Sequence, residues 1–177
     1  MVYRIFLTMI IAAGIAAGCA GKPPEPAAAV TWGGADNVVQ VGNLYFSAQP
    51  DQAGLAAAQA AGVDIVINLR LPDEVDFDQA AAVDSRGMQY FNVPISRDGP
   101  SFDPGAIEMI SELVAANSNQ QILLYCSSGN RASAWYAIDL VRQRGVQPDE
   151  ALRIARATGL TRASMEQRVQ EYLDAGD

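Results

Sequence analysis

Gln121-Ile-Leu-Leu-Tyr-Cys-Ser-Ser-Gly-Asn-Arg131, continued by Ala132-Ser-Ala-Trp-Tyr-Ala-Ile-Asp-Leu140, is the stretch that decides the fold. Its short apolar run, bounded by polar residues, predicts a buried strand. After Arg131 apolar residues recur at helical spacing as far as Leu140 and Val141, and Arg142, Arg144 and Gly145 make a helix stop. A tight turn that starts at Cys126 and closes at Arg131 joins strand to helix. There, successive backbone N–H groups can point inward around one site, at the positive end of the helix dipole. Such a cup binds an oxyanion, and the same donors with Arg131 favour a cysteine thiolate at its lip. Arg131 offers a planar fork that can grip two anion oxygens. Gly129 allows a backbone conformation that a side chain would obstruct. The turn therefore reads as a cysteine nucleophile facing an anion site. The plainer alternative is a small buried core cysteine followed by a polar turn.

Outward from the cup, apolar strands alternate with helical segments. Asn37-Val-Val-Gln-Val-Gly-Asn-Leu-Tyr-Phe-Ser47 predicts two short strands around a Gly42-Asn43 turn. An Ala-rich helix follows Gln49-Pro50-Asp51 and ends at Gly62, and Val63-Asp-Ile-Val-Ile-Asn-Leu69 predicts a central strand. A polar turn over 70–74, a helix over 76–86 stopped by Gly87, and a strand over 88–93 come next, then an irregular loop over 94–100. Asp103-Pro104 caps and opens a helix over 105–116. Beyond the cup, Pro148-Asp149-Glu150 opens a helix that ends near Gly159. A last helix over 161–173, capped by Thr161, places Ala163, Met165, Val169 and Leu173 on one side. This order predicts an α/β fold: three layers, with a mainly parallel sheet of four or five strands covered by helices on both faces. Ligands of such sheets bind beyond the carboxyl ends of the strands, where Arg70, the 94–100 loop and the cup converge.

Composition narrows the chemistry. The 177 residues leave room for one domain after a leader and a linker. Histidine is absent, which excludes Ser-His-Asp and Cys-His catalysis, haem and His-bearing zinc sites; no cofactor and no metal is expected. The formal charge of −8 and the lone Lys22 argue against a nucleic-acid partner.

The chain opens with Arg4 and an apolar run over 5–17, ending in Ala16-Ala17-Gly18-Cys19. Residues 1–18 read as a signal peptide. The small residues before Cys19 resemble the lipobox of bacterial lipoproteins, although Ala16 stands where that motif usually has Leu. The resemblance implies lipid attachment at Cys19, export to the cell envelope and a membrane anchor facing the periplasm. Removing residues 1–18 takes away Arg4 and makes the charge −9. Residues 19–36 are rich in Pro and Ala and read as a tether, and 37–177 as the domain. With Cys19 acylated, Cys126 is the single free thiol.

Leu44-Tyr-Phe-Ser-Ala-Gln-Pro50, Gly62-Val-Asp-Ile-Val-Ile-Asn-Leu-Arg70, the Val93-Pro94 strand end and the loop from Cys126 to Arg131 resemble the bacterial β-lactamase-hydrolase-like phosphatase domain family. That family is a branch of the dual-specificity and tyrosine phosphatase-like superfamily, and the likeness runs over 37–160. It implies a phosphate-ester hydrolase with Cys126 as nucleophile and Arg131 as anion clamp. The backbone of Ser127, Ser128, Gly129 and Asn130 would cradle the phosphoryl group, and the partner would be a phosphorylated substrate or another small oxyanion. Tyrosine phosphatases place five residues between cysteine and arginine, a histidine before the cysteine and Ser or Thr after the arginine. This chain has four, Tyr125 and Ala132, with Ser133 one step on. The Cys-x-x-Gly-x-Arg loop also resembles that of rhodaneses, so sulfur transfer through a Cys126 persulfide stays open, as does a non-catalytic anion-binding lipoprotein. Ester cleavage needs an acid for the leaving oxygen. Asp98, on the loop where the phosphatase fold carries its acid, is the candidate, although Asp98-Gly99 is also a common turn pair. Asp73, Glu74 and Asp103 are weaker candidates. Arg70 is either a second positive charge at the mouth or the ion-pair partner of Asp73 or Glu74.

Overall fold

The computed structural model describes residues 23–75 and 77–176. The signal expected over 1–18 and the lipid attachment at Cys19 lie outside the described residues. A six-stranded sheet runs in the order β1-β2-β3-β6-β4-β5. Its strands are β1 (Val30–Trp32), β2 (Ala35–Val41), β3 (Leu44–Ser47), β4 (Ile65–Asn68), β5 (Gln89–Asn92) and β6 (Ile122–Tyr125). β3, β6, β4 and β5 pair in parallel, whereas β2 and β1 add on antiparallel. The hairpin between β2 and β3 turns at Gly42, whose φ of +61° suits a glycine, and it brings Val41 opposite Leu44.

Alternation along the buried strands divides the core in two, because successive side chains leave a strand on opposite faces. Ile122 and Leu124 of β6 join Ile65 and Ile67 of β4 on one face. Leu123, Tyr125 and Val66 meet Leu55, Ala58 and Val83 on the other. The second face is covered by α1 (Gln52–Ala60) and α2 (Gln79–Asp84). The first carries α3 (Pro104–Ala116), α4 (Asn130–Arg142), α5 (Pro148–Thr158) and α6 (Ala163–Asp174). Asp51, Asp78 and Asp103 cap α1, α2 and α3 by accepting the N–H of Gly54, Ala81 and Gly105, which satisfies donors that have no acceptor within the helix. α4 is buried along nearly its whole length beneath α5 and α6.

Three expectations need correction. β1 and the start of β2 lie inside the stretch read as a tether. Val30-Thr31-Trp32 is β-branched and aromatic and pairs with β2; the Trp32 ring sits 5.1 Å from that of Tyr45. The main chain is tied down further out, where the Ala27 N–H donates to the Gln40 carbonyl. Sheet pairing here outweighs the local Pro and Ala content, and it raises the strand count to six. Thr161 does not cap α6: the cap position is Arg162, without a side-chain bond. Ala163 is exposed, and the buried stripe of α6 is Met165, Arg168, Val169 and Leu173.

Candidate active site

Cys126 follows the last residue of β6 and Asn130 opens α4, so residues 126–131 form a loop at the carboxyl end of the sheet. Gly129 takes the N-cap position with φ +81° and makes no side-chain cap bond. The N–H groups of the first turn of α4 are therefore not claimed by the cap residue. A Cβ on Gly129 would stand 3.4 Å from the Ser47 carbonyl oxygen, and Ala48 bridges to Ser128. The end of β3 is thus one wall of the cup. Cys126 is 1% exposed, while Ser127 and Ser128 are exposed.

Arg131 is buried and its guanidinium is held from several sides. Nη1 donates to the carbonyls of Leu69 (3.2 Å) and Ile95 (2.9 Å) and to Glu74 Oε1 (3.3 Å). Nη2 donates to Glu74 Oε2 (2.6 Å) and Ser127 Oγ (3.2 Å). Glu74 thus takes the end of the fork in a two-point ion pair. Nη2 also reaches Ser127 Oγ, so the guanidinium borders the 126–131 loop, where an oxyanion that displaces this bond can meet it. Arg70 Nε stands 3.5 Å from Glu74 Oε2, so Arg70 is an ion-pair partner of Glu74. Burial raises the Glu74 carboxyl pKa, but the hydrogen bonds and charge of Arg131, with help from Arg70, hold it below the ordinary carboxylate range. Glu74 is therefore an anion that orders the arginine, which runs against a proton-donor role.

Asn130 braces the opposite side. Its Oδ1 accepts the N–H groups of Thr161 and Arg162, both at 2.9 Å. Its Nδ2 donates to Thr161 Oγ1 at 3.2 Å. Ser133 is fully buried, and its Oγ lies 3.3 Å from where a Cβ on Gly159 would sit. Asp98 is not brought onto the thiol. Its side chain is 82% exposed and accepts a bond from Arg97 Nε at 3.1 Å. It shares a cavity of about 140 Å³ with Leu71, Asp73, Glu74, Ser96 and Arg97. The loop carrying Asp98 is therefore joined to Arg131 through the Ile95 carbonyl and borders Glu74 across this cavity. Asp103 caps α3.

Tyr125, which stands where tyrosine phosphatases carry histidine, turns to the opposite sheet face from Cys126. Its hydroxyl donates to Gln79 Oε1. Burial, and then Tyr90, push its pKa up, which keeps it a neutral phenol. Asn68 Nδ2 donates to Gln79 Oε1 and to the Tyr90 hydroxyl, and Asn68 Oδ1 accepts the Arg70 N–H. This buried network shapes the turn that presents Glu74. Sequence reasoning offered Glu74 as a partner of Arg70, beside Asp73, and as a weaker acid candidate; it missed the bond of Glu74 to Arg131 and the role of Gln79.

A parallel sheet ending in a cysteine-to-arginine loop at a helix N-terminus is the architecture of tyrosine and dual-specificity phosphatases. The family model for the phosphatase-like domain of beta-lactamase hydrolase-like proteins matches residues 38–142, and the chain belongs to that family. Among solved structures it is similar to TpbA of Pseudomonas aeruginosa, at 19% identity and TM-score 0.61 over 79% of this chain and 84% of that one. It is also similar to Tk-PTP in its active form, at 21% identity and TM-score 0.63 over 80% and 96%. Kinase associated phosphatase, with its catalytic-site cysteine substituted by serine, gives 16% identity and TM-score 0.65 over 75% and 86%. No curated protein matches the chain.

Proposed function

We propose that the protein is a cysteine-dependent phosphatase that cleaves phosphate monoesters through a cysteinyl-phosphate. The observation that carries this reading is the Arg131 geometry: Glu74 fixes one end of the fork, and Nη2 reaches Ser127 Oγ in the 126–131 loop. The Cys126 sulfur attacks phosphorus, the ester P–O bond breaks, and the departing alkoxide takes a proton from the Asp98 carboxylic acid. Water then attacks phosphorus, giving a proton to the Asp98 carboxylate, and the S–P bond breaks to return the thiolate and inorganic phosphate. Arg131 and the backbone N–H groups of residues 127–131 hold the equatorial oxygens, whose charge must be stabilised in flight. Asp98 is free to reach a leaving group because an exposed pair with Arg97 holds it by at most about 1 kcal/mol. Family membership supports the reading. A cysteine-to-serine form of TpbA has been solved with phosphotyrosine, which favours a phosphorylated amino-acid side chain as the substrate here.

The purified chain is assayed on p-nitrophenyl phosphate, on phenyl phosphate and on thiosulfate with cyanide. Hydrolysis of both esters is expected, abolished by Cys126→Ser, with alkylation of Cys126 slowed by vanadate. Asp98→Asn is expected to slow phenyl phosphate by about 10²–10⁴-fold, the loss typical of a missing proton donor, and p-nitrophenyl phosphate far less. Thiocyanate formation without ester cleavage would replace this reading by sulfur transfer. No turnover of either kind would leave an anion-binding protein.

A further inference from the structure

The loop that carries Asp98 is held by a residue outside the stretch that defines the family. Arg168 lies on α6, whereas the family match ends at residue 142. Arg168 is 8% exposed. Its Nη1 donates to the carbonyls of Ser96 and Arg97, both at 3.2 Å, and its Nη2 to the carbonyl of Ser101 at 2.9 Å. These acceptors flank Asp98 on both sides, so one planar guanidinium closes the loop and leaves only residues 98–100 between its fixed points. The Phe102 ring lies under the guanidinium carbon at 4.4 Å, and the Met165 sulfur touches Nη1 at 3.8 Å. Nε is buried without a partner among the described residues. A buried cation with one donor unpaired is costly, and an apolar side chain of similar volume would often serve stability as well. The surrounding charges are Asp98, Arg131 and Glu171, with Arg97 paired to Asp98. The start of the same loop, the Ile95 carbonyl, is held by Arg131. One arginine therefore ties the acid loop to the phosphate site and the second ties it to the C-terminal helix.

We propose that Arg168 is a positioning residue for proton donation: it fixes the two ends of the 96–101 span so that Asp98 meets the leaving oxygen. This rests on the reading of Asp98 as the acid. The rate advantage of such a clamp comes from holding the donor near its working position before the ester arrives; misplacement by about 1 Å can cost up to about 10²-fold.

The test compares Arg168→Met, Arg168→Lys, Asp98→Asn and Arg168→Met/Asp98→Asn in the full chain, on phenyl phosphate and p-nitrophenyl phosphate. Arg168→Met should lower kcat on phenyl phosphate by about 10–10²-fold, lower it less on p-nitrophenyl phosphate, and change KM little on either. It should add nothing further in the Asp98→Asn background, and trypsin should cut after Arg97 faster than in the parent chain. Arg168→Lys keeps the charge and stem but loses the fork, so an intermediate loss is expected; it also stands in should Arg168→Met fail to fold. Equal losses on both esters, or losses that add to those of Asp98→Asn, would reduce Arg168 to a packing residue and overturn the proposal. Leaving-group dependence in Asp98→Asn but in neither Arg168 variant overturns it alone and leaves the acid in place. If Asp98→Asn itself shows none, the acid assignment falls and this proposal falls with it.

Discussion

Asn130 and Arg131 are neighbours in sequence, both are buried, and they tie one loop to opposite walls of the molecule. Asn130 reaches the turn before α6 through neutral hydrogen bonds to backbone N–H groups. Arg131 reaches the turn after β4 and the loop after β5 through a charged pair and two carbonyls. The neutral side can hold the loop in one shape whether or not an anion is present. The charged side must share its guanidinium between Glu74 and any bound oxyanion. Rigidity and chemistry are thus divided between two adjacent side chains. A helix start makes this possible, because successive residues leave it about 100° apart.

The largest test of this division is Arg131→Lys. Lysine cannot hold Glu74 and an anion along two edges at once. A loss of kcat of about 10²–10³-fold is expected, in the range for removal of one oxyanion donor, together with loss of vanadate protection at Cys126. Retained protection would show that backbone N–H groups alone make the anion site.

Glu74→Gln is the next step down. It keeps the shape but not the charge, so Arg131 is left less firmly oriented, and a fall in kcat of about tenfold corresponds to losing roughly 1.4 kcal/mol of transition-state stabilisation. The pH behaviour separates an ionic brace from a neutral one. The folded protein holds the Glu74 carboxyl below its ordinary 4.5, so folding binds the ionised form preferentially. The stability this contributes is full above that ordinary value and is lost as pH falls through the lowered one. The parent chain should therefore lose more thermal stability between pH 6 and strongly acid solution than Glu74→Gln does. Parallel melting curves would mean that the pair contributes nothing to folding.

Asn130→Ala should have the smallest effect on chemistry and a clear one on stability. It removes the acceptor of the part-buried Thr161 and Arg162 N–H groups, at a cost of about 0.5–1.5 kcal/mol per hydrogen bond lost. The expected kinetic change is under tenfold, with vanadate protection kept. A loss on the scale of Arg131→Lys would erase the distinction between the two walls.

Much of this was legible locally. The continuous apolar runs at β4 and β6 announced buried strands of a mainly parallel sheet. Asp51 and Asp103 announced helix starts, and Gly42-Asn43 a hairpin. The 126–131 loop could be read as a candidate anion site because its parts are contiguous: cysteine, glycine, arginine and the helix dipole lie within one turn. β1 was hidden because a three-residue strand in a Pro- and Ala-rich stretch has too few residues for a period, and it exists only because β2 offers an edge. Arg70 could be paired with Glu74 by spacing, yet nothing local said that Glu74 also meets Arg131, 57 residues away.

The sequence by itself determined the layered α/β order, the loop from Cys126 to Arg131 and the family. Each follows from short-range pattern: strand alternation, helix caps and a six-residue constellation. Tertiary structure alone decided which charges work together. Glu74 reached Arg131 because β4 lies beside β6 in the sheet, which puts the two following turns on one edge. Arg168 reached the Asp98 loop, about 70 residues away, because α6 packs on α4. A carboxylate or guanidinium carries no periodic mark of its distant partner; the partner is set by which strand ends the sheet brings together.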